Sequence, residues 1–184
     1  MTPRAARREA AVFDSSPLIF LARVGLLREA AALCLASLIS ESVREEVLDI
    51  GREIGAPETA VIDELLAAGG LTVSSVPETA LSRRLESNRG LSRADRDSLV
   101  LATERHARLL ADDLAVRRVA RHLGIPTGGT LSCLFSLVEE GKVGTDDALG
   151  CLDRMVDAGW YCSAKLYRTA RQALEGVANH LDRQ

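Results

Sequence analysis

The sequence contains few aromatic residues: three Phe, two Tyr and one Trp, or 3% of its 184 residues. A core built from this composition must be aliphatic, made of Leu, Val, Ile and Ala side chains. A nucleic-acid surface that works by base stacking needs exposed aromatic rings, so the composition argues against such a surface.

Signals for a zinc site, for export and for a membrane span are also missing. The four cysteines form neither a CxxC pair nor a cluster with histidine, which argues against zinc. The N-terminus has arginines but no apolar export segment, and no stretch reaches the ~20 apolar residues of a membrane span. We therefore expect a cytoplasmic protein with reduced thiols and no membrane partner.

The charge is nearly balanced, with 26 acidic and 23 basic residues and a net charge of −3. This excludes a polycationic nucleic-acid binder, so any phosphate-binding surface must be local. The length suits one domain. We expect a basic lead-in over residues 1–9 and a single domain over 10–178, with a helical C-terminal part from about 130 to 178.

Short apolar stretches that stop at polar residues predict four strands, near 10–13, 37–40, 71–74 and 108–111. The arginine-rich stretch 77–91 is predicted to be mobile. Helices are predicted at 18–36 (broken near Gly25), 41–50, 58–68, 92–105, 113–123, 130–142, 145–158 and 163–178. Strands that alternate with helices indicate an α/β protein whose parallel sheet is covered on both faces.

Acidic residues recur where the predicted strands end. The carboxyl ends of parallel strands open on one edge of the sheet, which is where open α/β sheets bind ligands. The acidic residues expected near this edge are Asp14 after the first strand, Asp112 and Asp113 after the fourth, Asp95 in the helix before the fourth, and Glu45 and Glu46 in the helix after the second.

A cluster of this kind predicts a bound cation, because like charges in close contact raise each other's pKa unless a cation is present. Oxygen ligands without Cys or His suit Mg²⁺ or Mn²⁺. Such ions bind phosphate oxygens and activate water, and the chemistry that fits is phosphodiester hydrolysis.

Five of these six acids also have a structural interpretation. Asp14 is suited to cap the helix that follows it, Asp112 and Asp113 likewise, and Glu45 and Glu46 fit a solvated helix face. Asp95 and Asp97 compete for one role, because residues two apart on a helix point roughly 200° apart. We favour Asp95, since its face of the helix is the more apolar.

The residues that carry these acids, in this order, resemble the PIN-domain family, in particular its small prokaryotic branch related to VapC toxins. The resembling segments are 12–19, 43–47, 94–102, 109–113 with the following Arg117-Arg118-Val119-Ala120 and Gly124-Ile125, and 129–131. The second segment singles out Glu46 over Glu45. The third has Ala94-Asp95 where this branch usually has Gly-Glu. The resemblance covers roughly residues 11–176.

The resemblance implies a three-layer α/β/α sandwich with a central parallel sheet of four to five strands and a helical C-terminal extension. It also implies a divalent cation, Mg²⁺ or Mn²⁺, and cleavage of single-stranded RNA that leaves a 5′-phosphate and a 3′-hydroxyl. Many relatives are toxins that form homodimers and are silenced by an antitoxin protein. We therefore predict a metal-dependent endoribonuclease of this type.

Two other functions remain open at this point. One is a PIN-like module that binds nucleic acid or protein without catalysis, which the net negative charge and the missing Gly-Glu pair favour. The other is a phosphoryl-transfer receiver or phosphatase. Those proteins usually carry a second acid next to the nucleophilic Asp, whereas Asp14 is followed by Ser15-Ser16.

The predicted catalytic residues are Asp14, Glu46, Asp95 and Asp112. Asp14 and Asp112 would bind the first metal ion with help from Asp95, and Glu46 would orient the attacking water or hold a second ion. Asp113 is an alternative metal ligand to Asp112, because sequence does not choose between two side chains that diverge at a turn.

Three residues are candidates for contact with nucleic acid: Ser15, Arg117 and Thr130. Ser15, like Ser16, is also suited to cap a helix. A solvated helix face is the alternative for Arg117, and an N-cap is the alternative that we prefer for Thr130. Trp160-Tyr161 fits core packing or a dimer contact better than base stacking.

Overall fold

A five-stranded, all-parallel sheet forms the centre of the fold in the computed structural model, which describes residues 9–181. The strands are β1 (Ala11–Phe13), β2 (Ser37–Ser40), β3 (Thr72–Ser74), β4 (Arg108–Leu110) and β5 (Thr127–Gly128). Their spatial order is β3-β2-β1-β4-β5, with Val12 of β1 in register with Leu38 on one side and Leu109 on the other. The parallel sheet is confirmed, and β5 supplies a fifth strand within the predicted number.

Helices connect all the strands. They are α1 (Ser15–Arg23), α2 (Leu27–Ala32), α3 (Glu41–Arg44), a π-helical segment (Glu45–Ile50), α4 (Gly51–Glu53), α5 (Glu58–Ala67), α6 (Ala80–Glu86), α7 (Arg93–Glu104), α8 (Leu114–His122), α9 (Thr130–Glu139), α10 (Thr145–Asp157) and α11 (Ala164–Leu181). The predicted break near Gly25 separates α1 from α2, and this glycine has a φ of 77°, a conformation that glycine adopts without strain.

The sheet is buried on both faces because successive residues of β1 point in opposite directions. Phe13 packs in a cluster with α1, α2, α5 and the C-terminal helices α9, α10 and α11. Val12 packs in a second cluster with α6, α7 and α8. Full burial of a side chain such as that of Phe13 contributes about 1.5–3 kcal/mol. The predicted three-layer arrangement with a helical C-terminal part is confirmed.

The stretch 77–91, for which no helix was predicted, contains the helix α6 over residues 80–86, and its predicted mobility stays a prediction. A capping box begins this helix: Thr79 Oγ1 accepts the Ser82 backbone N–H, and Ser82 Oγ accepts the Thr79 N–H. Leu85 is buried against the second core cluster. The arginines of α6 obscured a short amphipathic helix.

The predicted lead-in lies outside the described residues, apart from Glu9. No helix within residues 9–181 combines the length and the apolarity required to cross a lipid bilayer.

The sheet has its topological switch point between β1 and β4. The chain runs outward from β1 through β2 to β3, then returns to the other side of β1 to form β4 and β5. The crevice beyond the carboxyl ends of two such strands is the usual ligand site of an open α/β sheet. Asp14 follows β1 and Asp112 closely follows β4, so both flank this crevice.

Candidate active site

Asp14 is a buried carboxylate at the end of the central strand. Its backbone N–H donates to the carbonyl of Leu110 at 2.9 Å, which fixes it beside β4. Its side chain is 5% exposed, and its Oδ1 accepts a hydrogen bond from Ser98 Oγ at 3.1 Å. Asp14 occupies the N-cap position of α1, but its carboxylate makes no capping hydrogen bond. The Asp14 carboxylate therefore does not cap α1.

The pKa of Asp14 is raised from 3.8 to about 7. Burial is the largest cause, because desolvation disfavours the charged form, and the charge of Asp95 is the second. The charge of Glu46 raises the pKa further, while hydrogen bonds from Ser98 and from the Ser15 backbone lower it. Three carboxylates from separate segments of the chain thus share one electrostatic environment.

Glu46 lies in the π-helical segment and is exposed. Its Oε2 accepts a hydrogen bond from Ser15 Oγ at 2.9 Å, directly beside Asp14 in sequence. Its neighbour Glu45 instead forms an ion pair with Arg93 at 3.0 Å. The two glutamates have different partners, and the one that acts on Asp14 is Glu46.

Asp95 belongs to a capping box at the start of α7. Its Oδ2 accepts the Ser92 backbone N–H at 2.6 Å, and Ser92 Oγ accepts the Asp95 N–H at 3.0 Å. Asp97 lies elsewhere: it accepts a hydrogen bond from Ser42 Oγ at 2.6 Å and lies 3.7 Å from Arg93 Nε. Asp97 is therefore partly neutralised, whereas the charge of Asp95 acts on Asp14.

Asp112 connects three parts of the fold through its carboxylate. Its Oδ1 accepts the Thr130 backbone N–H at 2.8 Å. Its Oδ2 accepts from Thr130 Oγ1 at 2.6 Å, Trp160 Nε1 at 2.9 Å and Ser16 Oγ at 3.3 Å. A carboxylate has about four lone-pair sites, so these donors use most of its capacity. Asp112 anchors the start of α9 and the turn after α10 to the end of β4.

Asp113 is the N-cap of α8. Its Oδ1 accepts the backbone N–H groups of Ala115 at 2.6 Å and Val116 at 3.1 Å. Asp113 therefore caps α8, as its structural interpretation predicted. Its role as an alternative metal ligand stays a prediction, and the capping geometry does not favour it. Arg117, one turn along α8, is half-buried, and its predicted phosphate contact also stays a prediction.

Thr130 has a role that the sequence did not predict. It is fully buried, and its N–H and its hydroxyl both donate to Asp112. The N-cap position of α9 belongs to Gly129, so Thr130 is neither the cap nor a surface phosphate ligand. A Cβ at Gly129 would overlap Asp112 Oδ1, which explains why the close approach of α9 to this carboxylate requires glycine.

Ser15 and Ser16 are not helix caps. They are the first two residues of α1, and each hydroxyl binds a different carboxylate, Ser15 that of Glu46 and Ser16 that of Asp112. The Ser15 hydroxyl donates to Glu46 in this structure. Its predicted contact with nucleic acid stays a prediction. Consecutive helical residues point about 100° apart, which lets the start of α1 reach carboxylates on both sides.

Two participants were missed at the sequence level. Ser98, which binds Asp14, lies three residues after Asp95 on α7, so helical spacing places both on one face and could have identified it. Trp160, which binds Asp112 from 48 residues away, lies in a turn with no periodic signal. Core packing or a dimer contact was predicted for the Trp160-Tyr161 pair; Trp160 is buried in the core, Tyr161 is exposed and not part of it, and the dimer contact stays a prediction.

The carboxylates have the oxygen donors that a hard cation prefers, but their side chains do not lie close enough together to hold one in this structure. Oxygen donors surround Asp14, whose raised pKa shows that its negative charge is poorly compensated by the protein. Among the described residues, however, no three His, Cys, Asp or Glu side chains form a group that could hold a metal ion. For an ion bound to Asp14, Asp95 and Glu46 would have to move toward it; their hydrogen bonds to Ser92 and Ser15 occupy only Asp95 Oδ2 and Glu46 Oε2, which leaves the second oxygen of each carboxylate as a possible ligand.

A comparison with protein families gives a match to the family described as a PIN domain, over residues 10–176. A search of curated proteins finds no match. The matched range includes all five strands and each carboxylate described above.

Proposed function

Because the chain belongs to the PIN-domain family, whose fold is nuclease-like, we propose that it is a metal-dependent endoribonuclease of the VapC toxin type that hydrolyses single-stranded RNA. The observation that carries the proposal is the buried Asp14 carboxylate, placed at the topological switch point of the sheet and surrounded by the charges of Asp95 and Glu46. Enzyme sites are where burial and like charge commonly shift a pKa by several units.

The burial of each carboxylate indicates the role that we assign to it. Asp14 is buried and accepts a hydrogen bond from Ser98, which suits a fixed ligand for a cation. Glu46 is exposed and is oriented by Ser15, which suits a general base that takes a proton from the attacking water. Asp95, half-buried, would complete the site.

A Mg²⁺ or Mn²⁺ ion held by Asp14 and Asp95 would neutralise these two carboxylates and stabilise the charge that develops on the phosphate, with Glu46 beside it as the base. Asp112 contributes differently in this proposal. Its carboxylate holds the start of α9 and the turn at Trp160 beside the crevice, and so shapes the edge on which the RNA would lie.

An antitoxin protein and a second copy of the chain are partners that fit a nuclease of this type. Both are part of the proposal, and they follow from the family and not from a contact in the structure.

A second candidate function is a PIN-like module that binds RNA or protein without catalysis. Two observations favour it: the described residues contain no group of three metal-ligand side chains, and the Asp112 carboxylate is already committed to protein donors.

A cleavage assay separates these functions. The purified full chain is incubated with 5′-labelled single-stranded RNA in Mg²⁺, in Mn²⁺ or in EDTA, and the product ends are analysed. We expect cleavage only with a divalent ion, with a 5′-phosphate and a 3′-hydroxyl on the products. Asp14→Asn should abolish it. Asp146→Asn is the matched control, because Asp146 is an exposed acid in the first turn of α10, at the opposite end of that helix from Trp160.

Binding of RNA without cleavage under every metal condition would instead select the binding module. Cleavage that is equal in wild type and Asp14→Asn would contradict the proposed site.

A further inference from the structure

Tyr161 is the exposed aromatic residue of the chain. Its side chain is 93% exposed. The other aromatic side chains are buried or half-buried: Phe13, Phe20, Phe135, Trp160 and Tyr167. The Tyr161 ring has no hydrogen bond or ring contact with any other described residue. Its whole π-face is therefore available to a ligand.

Tyr161 directly follows a residue that is anchored to Asp112. The preceding residue, Trp160, is 6% exposed and donates its indole N–H to Asp112. The turn before it is also fixed: the Gly159 N–H donates to the carbonyl of Val156 at 3.0 Å, and the Trp160 N–H to that of Met155 at 2.9 Å, the pattern of a Schellman motif. Because consecutive Cα atoms are about 3.8 Å apart, the Tyr161 backbone lies one residue from this anchored turn, and its side chain is exposed to solvent there.

The charge of this edge determines which kind of contact can bind RNA there. Without a bound cation, the carboxylates of Glu46 and Asp95 beside Asp14 repel phosphates, and the whole chain carries a net charge of −3. Attraction between charges, which supplies most non-specific nucleic-acid affinity, is therefore weak at this edge. Stacking of a base on a neutral ring is not opposed by this charge, and it requires a base that is not paired.

We propose that Tyr161 stacks on one unpaired base of the RNA bound at the Asp14 site. The inference rests on the proposed function, and it makes Tyr161 a positioning residue that favours single strands over duplexes. The low aromatic content, 3% of the residues, argued against base stacking. A single exposed ring is nevertheless enough to provide one stacking site.

The test measures the affinity of the full chain for a fluorescein-labelled single-stranded RNA 12-mer by anisotropy. The protein carries Asp14→Asn so that the RNA stays intact. Tyr161→Ala and Tyr161→Leu should weaken binding roughly 5-fold or more, because stacking on an aromatic ring contributes about 1–3 kcal/mol per base. Tyr161→Phe should bind within about twofold of the parent, since it keeps the ring. Each variant should keep its melting temperature, because the side chain is exposed.

A second arm scans a single abasic nucleotide along the RNA. One position should weaken binding to the parent by a similar factor and have no further effect on Tyr161→Ala, since both changes remove the same contact. Parent-like affinity of Tyr161→Ala, or independent effects of the two changes, overturns the stacking proposal alone. A change in sedimentation without a change in affinity makes Tyr161 a subunit contact and also overturns it. If neither this parent nor the wild-type chain in EDTA binds RNA, the proposed function is overturned, and the stacking contact with it.

Discussion

Ser98 donates a hydrogen bond to Asp14 from 84 positions further along the chain. The pair joins α7 to the end of β1, and both side chains are buried. The serine lowers the pKa of Asp14, while burial and the charges of Asp95 and Glu46 raise it to about 7. The protonation of the central carboxylate is therefore set jointly by its neighbours.

Ser98→Ala should raise the pKa of Asp14 above about 7, because the charged carboxylate loses a donor. It should also lower the free energy of unfolding by about 1 kcal/mol. Carboxyl ¹³C NMR across pH and urea unfolding measure the two effects. Ser136→Ala, a similar change on α9, serves as the control. An unchanged Asp14 titration would contradict this role of Ser98.

Asp14 should make the protein less stable as pH rises. Its native pKa of about 7 exceeds its ordinary value of 3.8, so the native state binds more protons than the unfolded state between these values. The free energy of unfolding therefore falls with pH in that range. At about 1.4 kcal/mol per pKa unit the loss is on the order of 4 kcal/mol, complete above pH ~7.

Asp14→Asn should remove this pH dependence. In EDTA, the stability of the variant relative to wild type should increase from pH ~4 to pH ~8, as measured by urea unfolding. Asp146→Asn, an exposed substitution of the same kind, should show no such trend. A stability difference between Asp14→Asn and wild type that is the same at both pH values would mean that Asp14 is not buried in its charged form.

Substitution of Asp112 should lower the free energy of unfolding much more than substitution of the adjacent Asp113. Asp112→Ala leaves the N–H groups of Thr130 and Trp160 without their acceptor and should cost on the order of 3 kcal/mol. Asp113→Ala removes a helix cap and should cost about 1 kcal/mol. Urea unfolding of both variants measures these losses.

Trp160 provides an independent readout, since it is the single tryptophan of the chain. Its fluorescence emission should move to longer wavelength in Asp112→Ala and stay unchanged in Asp113→Ala. Equal costs for the two variants, together with an unchanged Trp160 spectrum, would show that Asp112 does not anchor the turn after α10.

The architecture could be predicted from the sequence because it depends on periodic patterns. Short apolar strands between amphipathic helices indicated a parallel sheet, and the polar residues that end β1 and β4 then had to lie at one edge. This reasoning placed Asp14 and Asp112 correctly at the ends of their strands. Helical spacing likewise favoured Asp95 over Asp97, and it is the charge of Asp95 that acts on Asp14.

The side-chain partners could not be predicted in the same way. The residues around Glu45 and Glu46 form a π-helical segment, whose wider turn departs from the spacing of an α-helix, so the pattern alone did not show which glutamate approaches Asp14. The contact between Asp112 and Trp160 depends on how the C-terminal helices pack back on the sheet. No local signal in the sequence encodes that packing.

Binding of Mn²⁺ tests the central claim, that carboxylates from distant segments form one cation site at the switch point of the sheet. Crystals of the wild-type chain and of Asp14→Asn would be soaked in Mn²⁺ and examined for anomalous density. The account predicts a peak in contact with Asp14, with the Asp95 and Glu46 side chains turned toward it, and no peak in the variant. Wild-type crystals without density beside Asp14, and with its neighbours still bound to Ser92 and Ser15, would contradict it.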